Sequence, residues 1–257
     1  LSIVSFDLEG DFAAFRDPSV TTNQTVTVIP SKSALIGLLG ALLGVKRSNT
    51  FDTLYTEDYL NLLKKTAIGI QVRSEVAKYT FFTNHRSLKE AKTKPYKTEL
   101  LVNPKYTIYV KSTDEINHAL LNRLKDNSFG FSPILGHAYC PARIPTYREL
   151  YGVNEADPEG LILSTVILDE VIESKNDNNT SGINPSDVPD FPFKLIIERH
   201  LHHYVVNGLL KRTVLRHYIP VPVNGKKSAL MIEEYRSALS LAKFYSVDGS
   251  EQALCLF

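Results

Sequence analysis

The chain has 257 residues, 43% of them apolar, enough for one large core or a core with a smaller appended domain. A formal net charge of +1 excludes a global cationic field, and two cysteines exclude a disulfide framework or a cysteine-rich zinc site. The longest apolar run, Ala34 to Val45, is too short to span a bilayer of ~30 Å and is broken by three glycines, so a soluble, cytoplasmic protein without membrane contact is expected.

Leu1 to Leu8 alternates and is rich in β-formers, which predicts a first strand. Pro30 with Ser31 or Ser33 supplies start signals for an apolar helix that ends near Gly44. Its internal glycines each cost about 1 kcal/mol relative to alanine and predict close approach of another backbone. Thr56 to Lys65 predicts a short helix, and Ala67 to Val76 a strand that continues through Thr83. A matching strand is expected from about Glu99 to Lys111, so the polar stretch Asn84 to Lys97 becomes the tip of a long hairpin projecting from the sheet. Ser112-Thr113-Asp114-Glu115 has capping-box spacing ahead of an apolar face formed by Ile116, Leu120, Leu121 and Leu124. Gly160 to Val171 predicts the fourth strand of the sheet. Beyond a loop rich in Asn, Ser, Asp and Pro, Phe193 to Val206 and Leu209 to Val223 predict strands and Ser228 to Phe244 a helix. An apolar end, Ala253 to Phe257, suggests burial either against another chain or, as termini often do, in its own core.

The fold class that follows is α+β: a ferredoxin-like (RRM-like) antiparallel sheet with two helices, a projecting β-hairpin thumb and a smaller C-terminal β-rich region. The boundaries are residues 1–174 for the ferredoxin-like domain with the thumb at about 77–98, residues 175–190 for a flexible loop, and residues 191–257 for the C-terminal region.

The overall charge hides an asymmetry. Between Arg73 and Lys111 nine basic residues face three acidic ones, whereas between Tyr151 and Asp190 nine acidic residues face the single Lys175. One end suits phosphate and the other repels it. Catalytic motifs fail: Gly225-Lys226-Lys227-Ser228 lacks the leading glycine of a phosphate-binding loop, and neither a dinucleotide fingerprint nor a nucleophile elbow appears. His200, His202 and His203 lack an acidic or cysteine partner at ligand spacing and read as surface or packing residues, so no metal and no cofactor are expected. Phe129-Gly130-Phe131 lacks the basic and aromatic flanks of an RNA recognition motif signature.

Phe6-Asp7-Leu8-Glu9-Gly10-Asp11-Phe12 joined to Ile29-Pro30-Ser31-Lys32-Ser33-Ala34-Leu35-Ile36-Gly37 resembles the opening of the fifth family of CRISPR-associated proteins, of the RAMP superfamily. Thr98-Glu99-Leu100-Leu101-Val102-Asn103-Pro104 and Ser132-Pro133-Ile134-Leu135-Gly136-His137 extend the resemblance, which covers about Leu1 to Ala142 and is most like the branch of type I-B systems. It implies a subunit of the type I surveillance complex, Cascade, that caps the five-prime handle of the guide RNA (crRNA). The backbone subunit, the large subunit and target DNA within the complex are the implied further partners.

Such a cap needs cations for phosphate, backbone N–H groups at a helix start and aromatic rings for splayed bases. The candidates are Arg16, Ser31, Lys32, Ser33, Arg73, Asn84, His85, Arg86 and Lys89, expected to lie together as one cradle of finger and helix mouth. Ser31 and Ser33 equally suit a helix cap, and a surface pair with Glu75 is the alternative reading of Arg73. Two other readings stand beside this one. Some family members are metal-independent endoribonucleases that cut the crRNA precursor and resemble one another in a Lys-His pair. That pair is absent here, with Asn84-His85-Arg86 the nearest substitute and Tyr55 or Tyr79 its conceivable partner. The third reading is a ferredoxin-like protein without an RNA role.

Overall fold

The structure, a computed structural model, describes residues 2–20, 23–46, 55–86, 92–169, 183–187, 194–207, 209–226, 228–235 and 241–257. In chain order its first elements are β1 (Ile3–Glu9), β2 (Phe12–Ala13), α1 (Lys32–Leu43), α2 (Glu57–Lys65), β3 (Ala67–Val72), β4 (Ala77–Arg86), β5 (Thr93–Val102), β6 (Lys105–Lys111), α3 (Asp114–Lys125) and β7 (Tyr147–Leu150). Then follow β8 (Val153–Glu155), β9 (Ile162–Leu163), β10 (Ile167–Asp169), β11 (Ile183–Asp187), β12 (Leu195–Val206), β13 (Leu209–Pro220), β14 (Leu230–Tyr235), β15 (Lys243–Val247) and β16 (Leu254–Leu256).

Four of these strands form an antiparallel sheet in the order β3-β6-β1-β7. Alternation decides its two faces. Phe6 and Leu8 of β1, Ile68 and Ile70 of β3 and Ile108 of β6 join one core with Leu35 and Leu39 of α1, Leu62 of α2 and Leu120 of α3. The opposite face carries Ser5, Asp7, Gln71, Thr107 and Tyr109. Its far end is covered by the sheet β16-β15-β8, where Ile3, Val153, Tyr245, Leu254 and Leu256 make a second apolar cluster. Gly69 permits that covering, because a Cβ there would lie 2.5 Å from the Leu256 side chain and 2.8 Å from the Cys255 carbonyl oxygen.

The anticipated long hairpin is two structures. The chain leaves β3 at Arg73 and returns at Pro104, so β3 and β6 pair in the four-stranded sheet while β4 and β5 pair in another, ordered β2-β5-β4. Asn103, at φ 47°, makes the break, and Pro104 behind it cannot donate to a ladder. The fourth strand of the main sheet is Tyr147–Leu150, not Gly160 to Val171, whose residues supply β9 and β10 to two other sheets. Tyr-Arg-Glu-Leu is an edge strand with too few apolar residues to announce itself.

The helix expected over Ser228 to Phe244 does not form among its described residues, 228–235 and 241–244. Leu230 and Ile232 are buried at a spacing of two, and β14 and β15 form there instead. Ile183–Asp187, within the expected loop, pairs with β14. The Ser112 capping box does not form, since the Ser112 hydroxyl turns to the Lys65 carbonyl (3.2 Å) and α3 begins after Thr113 without a side-chain cap. Ala253 to Phe257 is buried within its own chain, Phe257 exchanging two 3.0 Å backbone hydrogen bonds with Ile68.

The close backbone approach expected of α1 occurs at its end. Gly44 ends the helix at φ 82°, and a Cβ on Gly130 would fall 2.2 Å from the Gly44 Cα. Gly130 and Phe131 donate backbone N–H bonds to the carbonyls of Leu42 (3.1 Å) and Ala41 (2.9 Å), closing the helix terminus. Gly37, by contrast, has open space beside it.

Candidate nucleic-acid interface

The β4–β5 hairpin projects a strongly two-faced ribbon. On one face Tyr79 stacks on Phe81 (ring centroids 5.7 Å) and His85 meets the edge of Tyr96 (4.9 Å). On the other face, Phe82 is 72% exposed, stands opposite Lys97 and is followed one ladder step outward by Asn84 and two steps outward by Arg86. An exposed aromatic beside a lysine and an arginine offers a base a stacking surface, with the Arg86 guanidinium for phosphate and Lys97, paired to Glu99, at the ring.

The foot of the hairpin is fixed by polar contacts. The Lys78 ammonium donates to the Val26 carbonyl (2.7 Å), and Glu99 receives Lys97 (2.8 Å) beside Lys78 (4.0 Å). Burial acts to raise the Glu99 carboxyl, but the Lys97 hydrogen bond and the nearby ammonium groups hold it below the usual carboxylate value. Gln24 bridges to Thr98, and Arg16 bridges to Val26 with its side chain exposed, so Arg16 stands at the foot.

At the start of α1 the Ser31 hydroxyl accepts from the Ala34 N–H (3.3 Å) and lies 3.1 Å from the Ser33 hydroxyl, which makes Ser31 the helix cap. The approach to this helix is already occupied by a carboxylate of the same chain: both Glu198 oxygens accept from the Val28 N–H at 2.9 and 3.0 Å. Lys32 is half-buried near His202, and burial lowers its ammonium to about 8.

The family model described as CRISPR-associated protein (Cas_Cas5) matches residues 3–202. The chain belongs to this Cas5 family. A CRISPR protein from Archaeoglobus fulgidus shares its fold at 10% identity and a TM-score of 0.52, with 99% of this chain and 98% of that chain covered. Further structural matches are a chain of a CRISPR RNA-guided surveillance complex (16% identity, TM-score 0.46, 85% and 90% covered) and a Cas protein (17%, 0.43, 87% and 99%). No curated protein matches the sequence.

The candidate residues of this Cas5 family member do not converge on one cradle. Arg86 pairs with Thr93, five residues beyond the Thr98 that meets Gln24, which places it about 17 Å outward at 3.4 Å per residue. Arg86 is therefore set well apart from the foot of the hairpin where Arg16 stands. Arg73 lies elsewhere again: its guanidinium pairs with Asp7 on the uncovered face of the main sheet, while Glu75 receives the Asn224 N–H. Lys89 lies outside the described residues. His85 packs on Tyr96 and meets Thr83 (3.1 Å).

Phe82 was missed by reading motifs alone. The alternation Tyr79-Thr80-Phe81-Phe82 puts one aromatic on the face opposite its neighbours, and only the register opposite Lys97 shows that this face is cationic. The histidines are packing residues, as their spacing suggested, but an acidic partner does exist, with His200 3.1 Å from Glu198. No group of residues suited to a metal ion occurs among the described residues. Nor is any described helix long and apolar enough to cross a membrane.

Proposed function

We propose that this protein is a non-catalytic subunit of a CRISPR effector complex that binds and caps the five-prime handle of the crRNA in the cytoplasm and joins the backbone and large subunits. The observation that carries the reading is Phe82, exposed on a projecting hairpin between Lys97 and Arg86. The sheet order β3-β6-β1-β7, with α1 between β1 and β3 and α3 between β6 and β7, supports the ferredoxin-like assignment.

An endoribonuclease needs a base and an acid on one scissile bond. Tyr79 and His85 are six residues apart on β4, about 20 Å at 3.4 Å per residue, and Tyr55 stacks on Tyr59 of α2. This separation favours capping without cleavage.

Fluorescence anisotropy with a labelled handle RNA tests the reading. Binding should weaken with salt, and Arg86→Ala should flatten the slope of log K against log salt by about 0.7, one phosphate contact on a single strand. Salt-insensitive binding would sink the phosphate argument. Specific cleavage of a repeat precursor in EDTA, lost in His85→Ala, would replace capping with catalysis.

A further inference from the structure

The uncovered face of the main sheet holds a cleft of about 420 Å³, within the range of small-molecule sites. It lies on the opposite side of the sheet from α1, and its floor is built by two cross-strand rows. One row runs Tyr109, Ser5, Arg148; the next runs Gln71, Thr107, Asp7, about 7 Å further along the strands.

Asp7 organises this floor. Burial acts to raise its carboxyl, yet donors from Arg73, Thr146 (2.7 Å) and Thr107 (2.7 Å) hold it below the usual carboxylate value, so it stays ionised. The carboxylate pins Arg73 while leaving 45% of that side chain exposed, and a guanidinium carries five donors, of which one Nη1 donor goes to Asp7. Arg148, exposed on the edge strand β7, approaches from the other row. Two guanidinium groups against one carboxylate leave the cleft net cationic, with planar donor forks at two places on one floor.

The rest of the lining suits a planar, polar-edged group. The Tyr109 hydroxyl donates to the Gln71 side-chain oxygen (3.0 Å), which fixes the amide and leaves its NH₂ as a donor. Facing these are Pro222, Val247 and Leu254, an apolar wall from the C-terminal region. Glu75 ties down the Asn224 N–H, holding the Gly225 lip of the cleft against the foot of the thumb.

We propose that this cleft is a second binding site, separate from the thumb, that takes one nucleoside phosphate. Its phosphate is held by Arg73 and Arg148, and its base lies against the apolar wall with a carbonyl edge toward Gln71. A bare phosphate would leave most of the volume and the apolar wall unused. The same chemistry is presented by a free nucleotide and by one residue of an RNA strand.

Isothermal titration of the full chain with AMP, CMP, GMP, UMP and inorganic phosphate is the test, using the wild type, Arg148→Ala, Gln71→Ala and Arg86→Ala. At least one mononucleotide should bind, more tightly than phosphate. Arg148→Ala should weaken it tenfold or more, and Gln71→Ala should narrow the preference among bases. Arg86→Ala, on the thumb, should leave it unchanged, which separates this site from handle binding. Unaltered circular dichroism of Arg148→Ala shows that the exposed edge residue is not needed for folding. Competition by a single-stranded RNA assigns the site to a strand and its absence to a free nucleotide, both upholding the cleft. Binding of phosphate as tight as that of every mononucleotide, no mononucleotide binding, or full binding by Arg148→Ala would overturn it.

Discussion

Replacing His202 with leucine measures how far the acid sensitivity of the fold resides in the histidine layer under β12. His202 is 1% exposed, lies 6.1 Å from the Phe257 ring, and has neither imidazole nitrogen in a hydrogen bond among the described residues. Burial, with Lys32 and His203 nearby, lowers it to about 3. Above pH 6.5 the ring is neutral in the folded and unfolded chains alike. Below 6.5 the unfolded chain binds a proton that the folded chain refuses until about pH 3, so stability is present above that window and lost as pH falls through it. At pH 5.5, one unit into the window, the loss is about 1.4 kcal/mol relative to pH 7.5. His217, lowered by burial with His200 and His202 beside it, adds in the same direction. Asp7 titrates below 3.8, and Lys32 contributes between 10.5 and about 8, so neither interferes. Urea unfolding at pH 7.5 and 5.5 should show the wild type losing at least about 1.4 kcal/mol and His202→Leu losing about 1.4 kcal/mol less. At pH 7.5 the variant should be no less stable, because leucine removes two nitrogens that carry a desolvation penalty of about 1–3 kcal/mol when unpaired. Equal losses in the two proteins would refute the burial argument.

Phe82→Ala should weaken handle RNA binding by about 1–3 kcal/mol, one stacked base, while leaving the urea midpoint in place. Gly130→Ala should cost about 1–3 kcal/mol in unfolding measurements, because the new methyl must displace backbone at Gly44. Tyr106→Phe removes the buried hydroxyl that donates to the Val28 carbonyl (2.7 Å) and should cost a similar amount, about 1–3 kcal/mol, by leaving that carbonyl without its donor.

Strand β1, the paired cores of β3 and β6 within longer expected strands, and the three described helices were legible: alternation in Ile3–Glu9, an apolar run behind Ser31 in α1, and an apolar face in α2 and α3. Elements without a period were not. Tyr147–Leu150 is short, polar and edge-exposed, and Ser228 to Phe244 mixes helix-forming residues with a burial spacing of two that only the pairing with β9 and β11 selects. Of the candidate site, the basic hairpin was visible as composition, whereas the separation of Arg73 from it was not. Arg73 is diverted by Asp7, sixty-six residues earlier, through a contact that sequence neighbourhood does not contain.

That diversion follows from the way the hairpin leaves the sheet. Arg73 still bonds the Lys105 carbonyl through its N–H (2.8 Å) and lies two residues beyond Gln71, so alternation places it on the Asp7 face before the chain turns away to the finger. The breaks at Arg73–Val76 and Asn103–Pro104 put the finger in its own sheet, and ties to distant parts of the chain hold its foot: Lys78 to Val26, Gln24 to Lys97 and Glu99, and Asn103 to Asp11. Beyond Thr98 the ladder has one partner strand, so bending there strains few contacts, while the foot is locked to the core through Phe15 and Val26. The floor of the cleft lies on β1, β3, β6 and β7, a sheet separate from the finger's β2-β5-β4, so substitutions near Arg86 and substitutions in the cleft are expected to act independently.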